Sequence, residues 1–275
     1  MMEEIELQIN DFDLLYDTLQ NILKVTSNLK IVVSTDGMTA WVADDNETIR
    51  VDVSSNAVCI PNDCDTKEIN ICTKNLGTIV NLLGKIKKSH SSKSRNFIPD
   101  YSDIIIKITN TELFIKSSSL KSSVYLDNES AVHTLRPFTH TLHEIVEIDS
   151  SIDDIKEVIS STFIFKQPEK TLIEICHQDD MIRNIAYAFM SDPNDPRTND
   201  IVIKFGNIMS GDFTRKVLID IQKIKYLSVF PVTNVKVKFN QEPCFCCNFS
   251  ISSRSKAYTT NYVVMGKYVL PRKVD

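Results

Sequence analysis

The sequence predicts an α+β protein of two similar domains, each with two helices packed on antiparallel β-sheets. Three observations carry this. Most of the chain alternates apolar and polar residues at the strand period of two. Four segments break that rhythm with apolar residues at helical spacing. Each helical segment follows a strand and precedes a block of about three strands, twice before residue 127 and twice after residue 142.

The elements follow in order. Ile5, Leu7 and Ile9 alternate with polar residues and form a strand. Residues 11–25 are helical, with Phe12, Leu15, Leu19, Ile22 and Leu23 on one side and Asn10 or Asp11 as cap. Residues 29–35 and 38–44 flank Asp36-Gly37, a two-residue hairpin signal. Strands 48–53 and 67–72 come next. Residues 73–88 form a second helix with Leu76, Ile79, Val80, Leu83 and Ile86 apolar and Thr73 as candidate cap. Strands 102–108, 112–117 and 121–126 close the first half.

The second half repeats the plan. Strands are expected at 143–148, 171–177, 181–189, 200–206, 214–219, 233–239, 244–251 and 257–265. Helices are expected at 151–162, on Ile152, Ile155, Val158 and Ile159, and near 220–229, on Ile221, Ile224 and Leu227. Residues 127–142, with Pro137, read as a linker between domains 1–126 and 143–275. Two long loops stand out, 89–101 and 191–199.

The chain has 275 residues and a formal charge of −5. Apolar residues at 42% and charged ones at 24% are ordinary for a globular chain and exclude general disorder. The charge excludes a protein that is basic all over, but not one with a local basic face. No run reaches the roughly 18 apolar residues a membrane helix needs. The acidic start MMEEIELQ lacks a signal-peptide core, so an intracellular protein without membrane contact is expected. A nuclear place fits a eukaryotic cellular protein, and host nucleus or cytoplasm a viral one.

Seven cysteines without regular spacing are a poor disulfide framework. Cys244, Cys246 and Cys247 cluster, but no second pair completes a four-ligand zinc site, so packed thiols are expected. No phosphate loop, dinucleotide fingerprint or HExxH motif occurs, and six glycines are few for such a loop. His133, His140 and His143 straddle the linker without a carboxylate pattern. The acid pairs Asp153-Asp154 and Asp179-Asp180 read as cap and turn residues. A protein without catalytic residues, metal or cofactor is expected.

Four stretches carry a resemblance. Met265-Gly266-Lys267-Tyr268-Val269-Leu270-Pro271-Arg272-Lys273 resembles a closing strand in which glycine, a lysine–tyrosine pair, leucine and proline come in that order. Lys225-Tyr226-Leu227 with Phe230, Pro243 before an apolar strand, and Leu135-Arg136-Pro137-Phe138 follow the same pattern at the expected places. Together they resemble the two-domain DNA sliding clamps, typified by proliferating cell nuclear antigen, over essentially the whole chain. The tail after Lys273 is only Val274-Asp275, where the family carries a longer acidic one, and loop 89–101 is longer than usual. The chain is read as a divergent, viral or protistan member.

The resemblance implies the DNA-clamp fold and a homotrimeric ring of six domains around double-stranded DNA, held without sequence preference. Helices line the hole, and residues 112–117 meet strand 181–189 of the next copy. It implies a processivity factor in DNA replication and repair, tethering DNA polymerase and other enzymes through short peptide motifs, with a clamp loader as a further partner. Phosphates call for lysine on the helices. Lys74, Asn81, Lys85 and Lys88 share one stripe of the second helix, and Lys87 with the loop residues Lys93 and Arg95 extends the basic region; no carboxylate interrupts residues 69–99. A solvated helix face is the plain alternative. Lys24, Lys156, Lys223 and Lys225 are further candidates, mixed with acid. The peptide pocket is expected at Leu135, Pro137, Phe138, Pro243, Tyr268, Leu270 and Pro271, with Asp45–Thr48 on its rim; core packing is the alternative for each. Rival readings are a subunit of a checkpoint-type heterotrimeric clamp, a non-ring accessory factor of the same fold, or a β-rich scaffold.

Overall fold

A computed structural model describes residues 4–47, 49–91, 100–135, 142–165, 171–177, 184–191, 201–211, 213, 217–228 and 230–268. The elements are β1 (Ile5–Ile9), α1 (Phe12–Leu23), β2 (Leu29–Ser34), β3 (Met38–Ala43), β4 (Ile49–Ser55), β5 (Val58–Cys59), β6 (Glu68–Thr73), α2 (Leu76–Ser91), β7 (Ile105–Ile108), β8 (Glu112–Lys116) and β9 (Lys121–Tyr125). Then come β10 (Glu144–Ser151), α3 (Ile152–Ser161), β11 (Leu172–Cys176), β12 (Ile185–Met190), β13 (Ile201–Gly211), β14 (Val217–Asp220), α4 (Ile221–Ser228), β15 (Asn234–Asn240), β16 (Cys244–Ser252) and β17 (Thr259–Lys267). The α+β class and all four expected helices are present.

The chain divides into two compact units. One comprises Met1–Ala43, Val51–Pro137 and Ser250–Tyr262; the other Asp44–Arg50, Phe138–Phe249 and Val263–Asp275.

In the first unit, five strands pair in the order β5-β1-β7-β8-β9. A second set runs β17-β4-β3-β2-β6, with β17 contributing Thr259–Tyr262. Leu15, Leu19 and Ile22 of α1 and Leu76, Ile79, Leu83 and Ile86 of α2 are buried. These stripes meet Leu7, Ile31, Ile106 and Leu113 from both strand sets around a residual void of about 40 Å³. Asp11 caps α1: its side chain accepts from Leu14 N at 2.8 Å.

Three details differ from expectation. The hairpin turn is Thr35-Asp36, with Gly37 already paired: Ser34 N donates to Gly37 O at 2.7 Å. Gly37 has φ of +139°, and a Cβ there would lie 2.3 Å from Ser55 O, so this position requires glycine. Thr73 ends β6 instead of capping α2, and its hydroxyl accepts from Asn75 N at 3.0 Å. The short strand β5 was not expected; it pairs Cys59 with Gln8 of β1.

In the second unit the order is β14-β11-β12-β13-β10-β15-β16, all pairings antiparallel. Ile155 and Val158 of α3 and Ile224 and Leu227 of α4 are buried with Val146, Ile148, Phe205 and Phe239. Ser151 caps α3, accepting from Asp154 N at 2.9 Å. Strand β13 changes neighbours along its length. Ile201–Lys204 pairs with β12, while Asn207–Gly211 also meets β10. The register shift lies at Phe205, whose carbonyl accepts from the Ser150 hydroxyl. At Gly206 a Cβ would lie 2.6 Å from Asp149 O, so only glycine allows this close crossing.

Candidate nucleic-acid interface

Helix α2 presents a clean basic face. Lys85 and Lys88 are exposed beside exposed Asn81, and exposed Lys74 lies just before the helix, its backbone N–H donating to Asp127 Oδ2 at 2.7 Å. No carboxylate lies within Leu76–Ser91. The apolar stripe turned inward fixes this face outward.

Lys87 does not join it. It lies four residues after Leu83 and eight after Ile79, so it borders the apolar stripe. Its Nζ lies 3.0 Å from Asp17 and 3.2 Å from Asp13 of α1, and 4.6 Å over the Tyr16 ring. Burial works against its charge, but the bonds and attraction of Asp17 and Asp13 outweigh that and hold the amine above its ordinary value. The pairing fastens α1 to α2. It also neutralises two of the acids that had clouded the first helix.

Lys24 is exposed at the end of α1 and donates to Asn21 Oδ1 at 2.9 Å. Desolvation lowers its pKa, with Asp17 opposing. In the second unit the lysines are less available. Lys156 is exposed, with Asp153 3.9 Å away and exposed Glu157 next in sequence. Lys223 Nζ donates to Lys267 O at 2.7 Å, and Lys225 Nζ to Gln222 Oε1 at 3.4 Å. This unit's helices therefore offer a mixed surface.

Of the expected pocket residues, Pro137, Phe138, Leu270 and Pro271 lie outside the described residues, as do Lys93, Arg95 and Thr48. Leu135 is half-buried in the first unit. Pro243 is exposed in the second unit, and its carbonyl accepts from Tyr268 N at 3.0 Å. Tyr268 is a core anchor and not an open wall. It is 4% exposed, its hydroxyl donates to Asn240 O, and its ring stands edge-on to Phe239.

The expected joint strands are also displaced. Strand β8 has β7 on one side and β9 on the other, and β12 lies between β11 and β13. Both are interior. Among the described residues, β9 has a partner on one side alone, and so does Ile201–Lys204 in β13; β5, β6 and β14 also end their sheets. β9 and β13 expose apolar side chains: Tyr125 is 77% exposed and Val202 39%. Alternation shows a strand's face but not its neighbours, so an edge could not be read from the letters.

Among the described residues, no group of three or more metal-ligating side chains occurs and no helix is long and apolar enough to cross a membrane. All seven cysteines are free thiols. Burial pushes the Cys247 thiol well above its usual range, which suits packing more than reactivity.

Two repeats of two helices each, on sheets with helices over one face, define the fold class of the DNA sliding clamps. Proliferating cell nuclear antigen from Entamoeba histolytica matches with a TM-score of 0.66 at 11% identity, covering 96% of this chain and 98% of that one. A chain of a structure described as the C-terminal region of FEN-1 bound to A. fulgidus PCNA gives 0.65 at 13%, covering 99% of this chain and 100% of that one. A PCNA2–PCNA3 complex from Sulfolobus tokodaii gives 0.59 at 9%, covering 98% and 99%. No family model and no curated protein matches the sequence. The likeness is one of fold, and the chain has the clamp fold along nearly its whole length.

Proposed function

We propose that this chain is a sliding clamp without enzymatic activity, three copies forming a ring that tethers DNA polymerase and other DNA enzymes to duplex DNA inside the cell. In this reading domains 1–126 and 143–275 are joined by 127–142. The observation that carries it is the carboxylate-free face of α2 with Lys74, Lys85 and Lys88 outward, on a fold whose solved relatives are clamps. Lysines on a smooth helix face attract phosphates without reading bases, which suits a protein that must slide. Replacing the three with glutamate lowers retention on circular DNA and polymerase stimulation while leaving assembly intact. Unchanged retention refutes their assignment.

The internal repeat supplies the argument for a ring. The last strand of the second repeat, β17, lies beside β4, the fourth strand of the first. Among the described residues, the last strand of the first repeat, β9, and Ile201–Lys204 of β13, the fourth strand of the second, each keep one open edge. Pairing β9 with β13 of another copy repeats the internal arrangement and removes both edges.

The A. fulgidus structure holds a FEN-1 segment. By analogy, this chain takes short partner peptides, and Leu135→Ala with Phe138→Ala lowers that affinity. A second reading, a heterotrimer subunit, draws on α3: exposed Asp153 and Glu157 make a poor DNA lining, which other subunits would compensate. Chains that assemble only with a different partner favour it.

A further inference from the structure

His90 lies in the last turn of α2, and its ring is held on both sides. Nδ1 lies 2.9 Å from Ile86 O, one turn back, and Nε2 lies 2.9 Å from Asp103 Oδ1, in the segment before β7. Carbonyl and ionised carboxylate oxygens only accept. The second Asp103 oxygen accepts from Ser118 N at 2.7 Å, in the turn between β8 and β9. Hydrogen bonds from Ser118 above all, then the His90 ring, lower the Asp103 carboxyl to about 2. With the carboxylate ionised, both ring nitrogens donate, and that is the imidazolium form. The C-terminal turn of a helix favours the same charge.

The other charged and titratable groups around the ring, among the described residues, are few. On its own helix, Lys87 is turned to Asp13 and Asp17, and Lys88 is exposed. In the segment before β7 are Asp100, whose carboxyl is lowered chiefly by Ser102, and Tyr101. The Tyr101 ring lies 5.4 Å from that of His90, and its hydroxyl donates to Asp13 of α1 at 3.0 Å. The β8–β9 turn brings only the uncharged Ser117, Ser118 and Ser119.

A second arrangement is within reach. Ser89 Oγ lies 3.1 Å from Nδ1, 2.8 Å from Ile86 O and 3.0 Å from Ser119 Oγ. Once the Nδ1 proton has left to solvent, the Ser89 hydroxyl can donate to Nδ1. Ile86 O then loses both of these donors, whereas Ser119 can donate to Ser89 Oγ and Nε2–H still donates to Asp103, a bond that no longer carries the ring's charge.

We propose that His90 is a proton-operated clamp, fastening the end of α2 through Asp103 to the β8–β9 turn most tightly while its ring is charged, and weakening that link when the Nδ1 proton leaves and the bond to Asp103 loses its charge. Resting on the ring reading, it couples the helix with the DNA-facing lysines to the hairpin of joint strand β9, so the joint weakens as pH rises.

The test is a ring-proton NMR titration of the five histidines in the full chain, with His90 assigned by its loss in His90→Gln. The expected result is a His90 titration above the ordinary value of about 6.5. In Asp103→Asn it moves down by about one unit. Amide-exchange protection at Ser118 falls severalfold through the same range. A His90 titration at or below the ordinary value, or one that Asp103→Asn does not move, overturns the clamp. Solution mass followed across the titration separates the two claims. A trimer that loosens in step supports the coupling, and a trimer indifferent to it overturns the coupling alone. A monomer at every pH overturns the ring reading, while the NMR result still decides the clamp.

Discussion

Thr18 on α1 and Thr260 on β17 meet in the core of the first unit with their hydroxyl oxygens 2.8 Å apart, although 242 residues separate them. Ser55 Oγ of β4 lies 2.7 Å from the same Thr260 oxygen, and Asn21 Nδ2 donates to Tyr262 OH at 3.3 Å. Thr18, Ser55 and Thr260 are all buried. A buried hydroxyl group without a partner is costly, so each fixes the position of the others. The small cluster sets α1 on the strand that closes the chain.

Thr260→Val keeps the shape and removes the shared hydroxyl. It leaves Thr18 and Ser55 without this bond and lowers stability by about 1–3 kcal/mol. Urea unfolding followed by circular dichroism measures this, and Thr18→Val combined with Thr260→Val recovers part of the loss.

Lysines one residue apart on α2 should behave differently. Lys87→Ala breaks the contacts with Asp13, Asp17 and Tyr16 and costs about 1 kcal/mol of stability. The salt dependence of DNA retention stays as it was. Lys88→Ala leaves stability within about 0.5 kcal/mol. It reduces the salt slope by up to about 0.9 for each phosphate that Lys88 neutralises.

Acid stability reports Asp103. Its folded pKa of about 2 lies below the unfolded value near 3.9. The stabilisation is therefore complete above about pH 4 and is lost as pH falls through 2. Asp103→Asn flattens that part of the stability curve, read by thermal unfolding at a series of pH values.

In the proposed ring the edges of β9 and β13 carry the assembly. Tyr125→Asp on β9 and Val202→Asp on β13 alter exposed side chains, so the chain keeps its fold by circular dichroism. Each shifts the solution mass from trimer towards monomer.

The legible parts of the sequence were those ruled by period and spacing. Ile79, Leu83 and Ile86 mark the buried side of α2, and the same spacing places Lys85 and Lys88 outward. It also places Lys87 at the border, four residues after Leu83, a position that its neighbour Lys88 obscures. Partner choice was not legible. The alternation of 112–117 looks the same in an interior strand as at an edge, and Tyr268 reads as wall or core until Asn240 and Phe239 are seen around it. The hairpin was one residue off because Asp36-Gly37 is a common turn pair, while Ser55 crowding Gly37 comes from a strand distant in sequence. The His90 clamp was illegible because Ile86, Asp103 and Ser118 meet only in three dimensions.

The most direct test of the ring is the solution mass of the chain at micromolar concentration near neutral pH, by light scattering behind size exclusion. The account predicts three times the 31.3 kDa of one chain, reduced towards one by Tyr125→Asp or Val202→Asp. A stable monomer of the unaltered chain, with β9 and β13 open in solution, would contradict it.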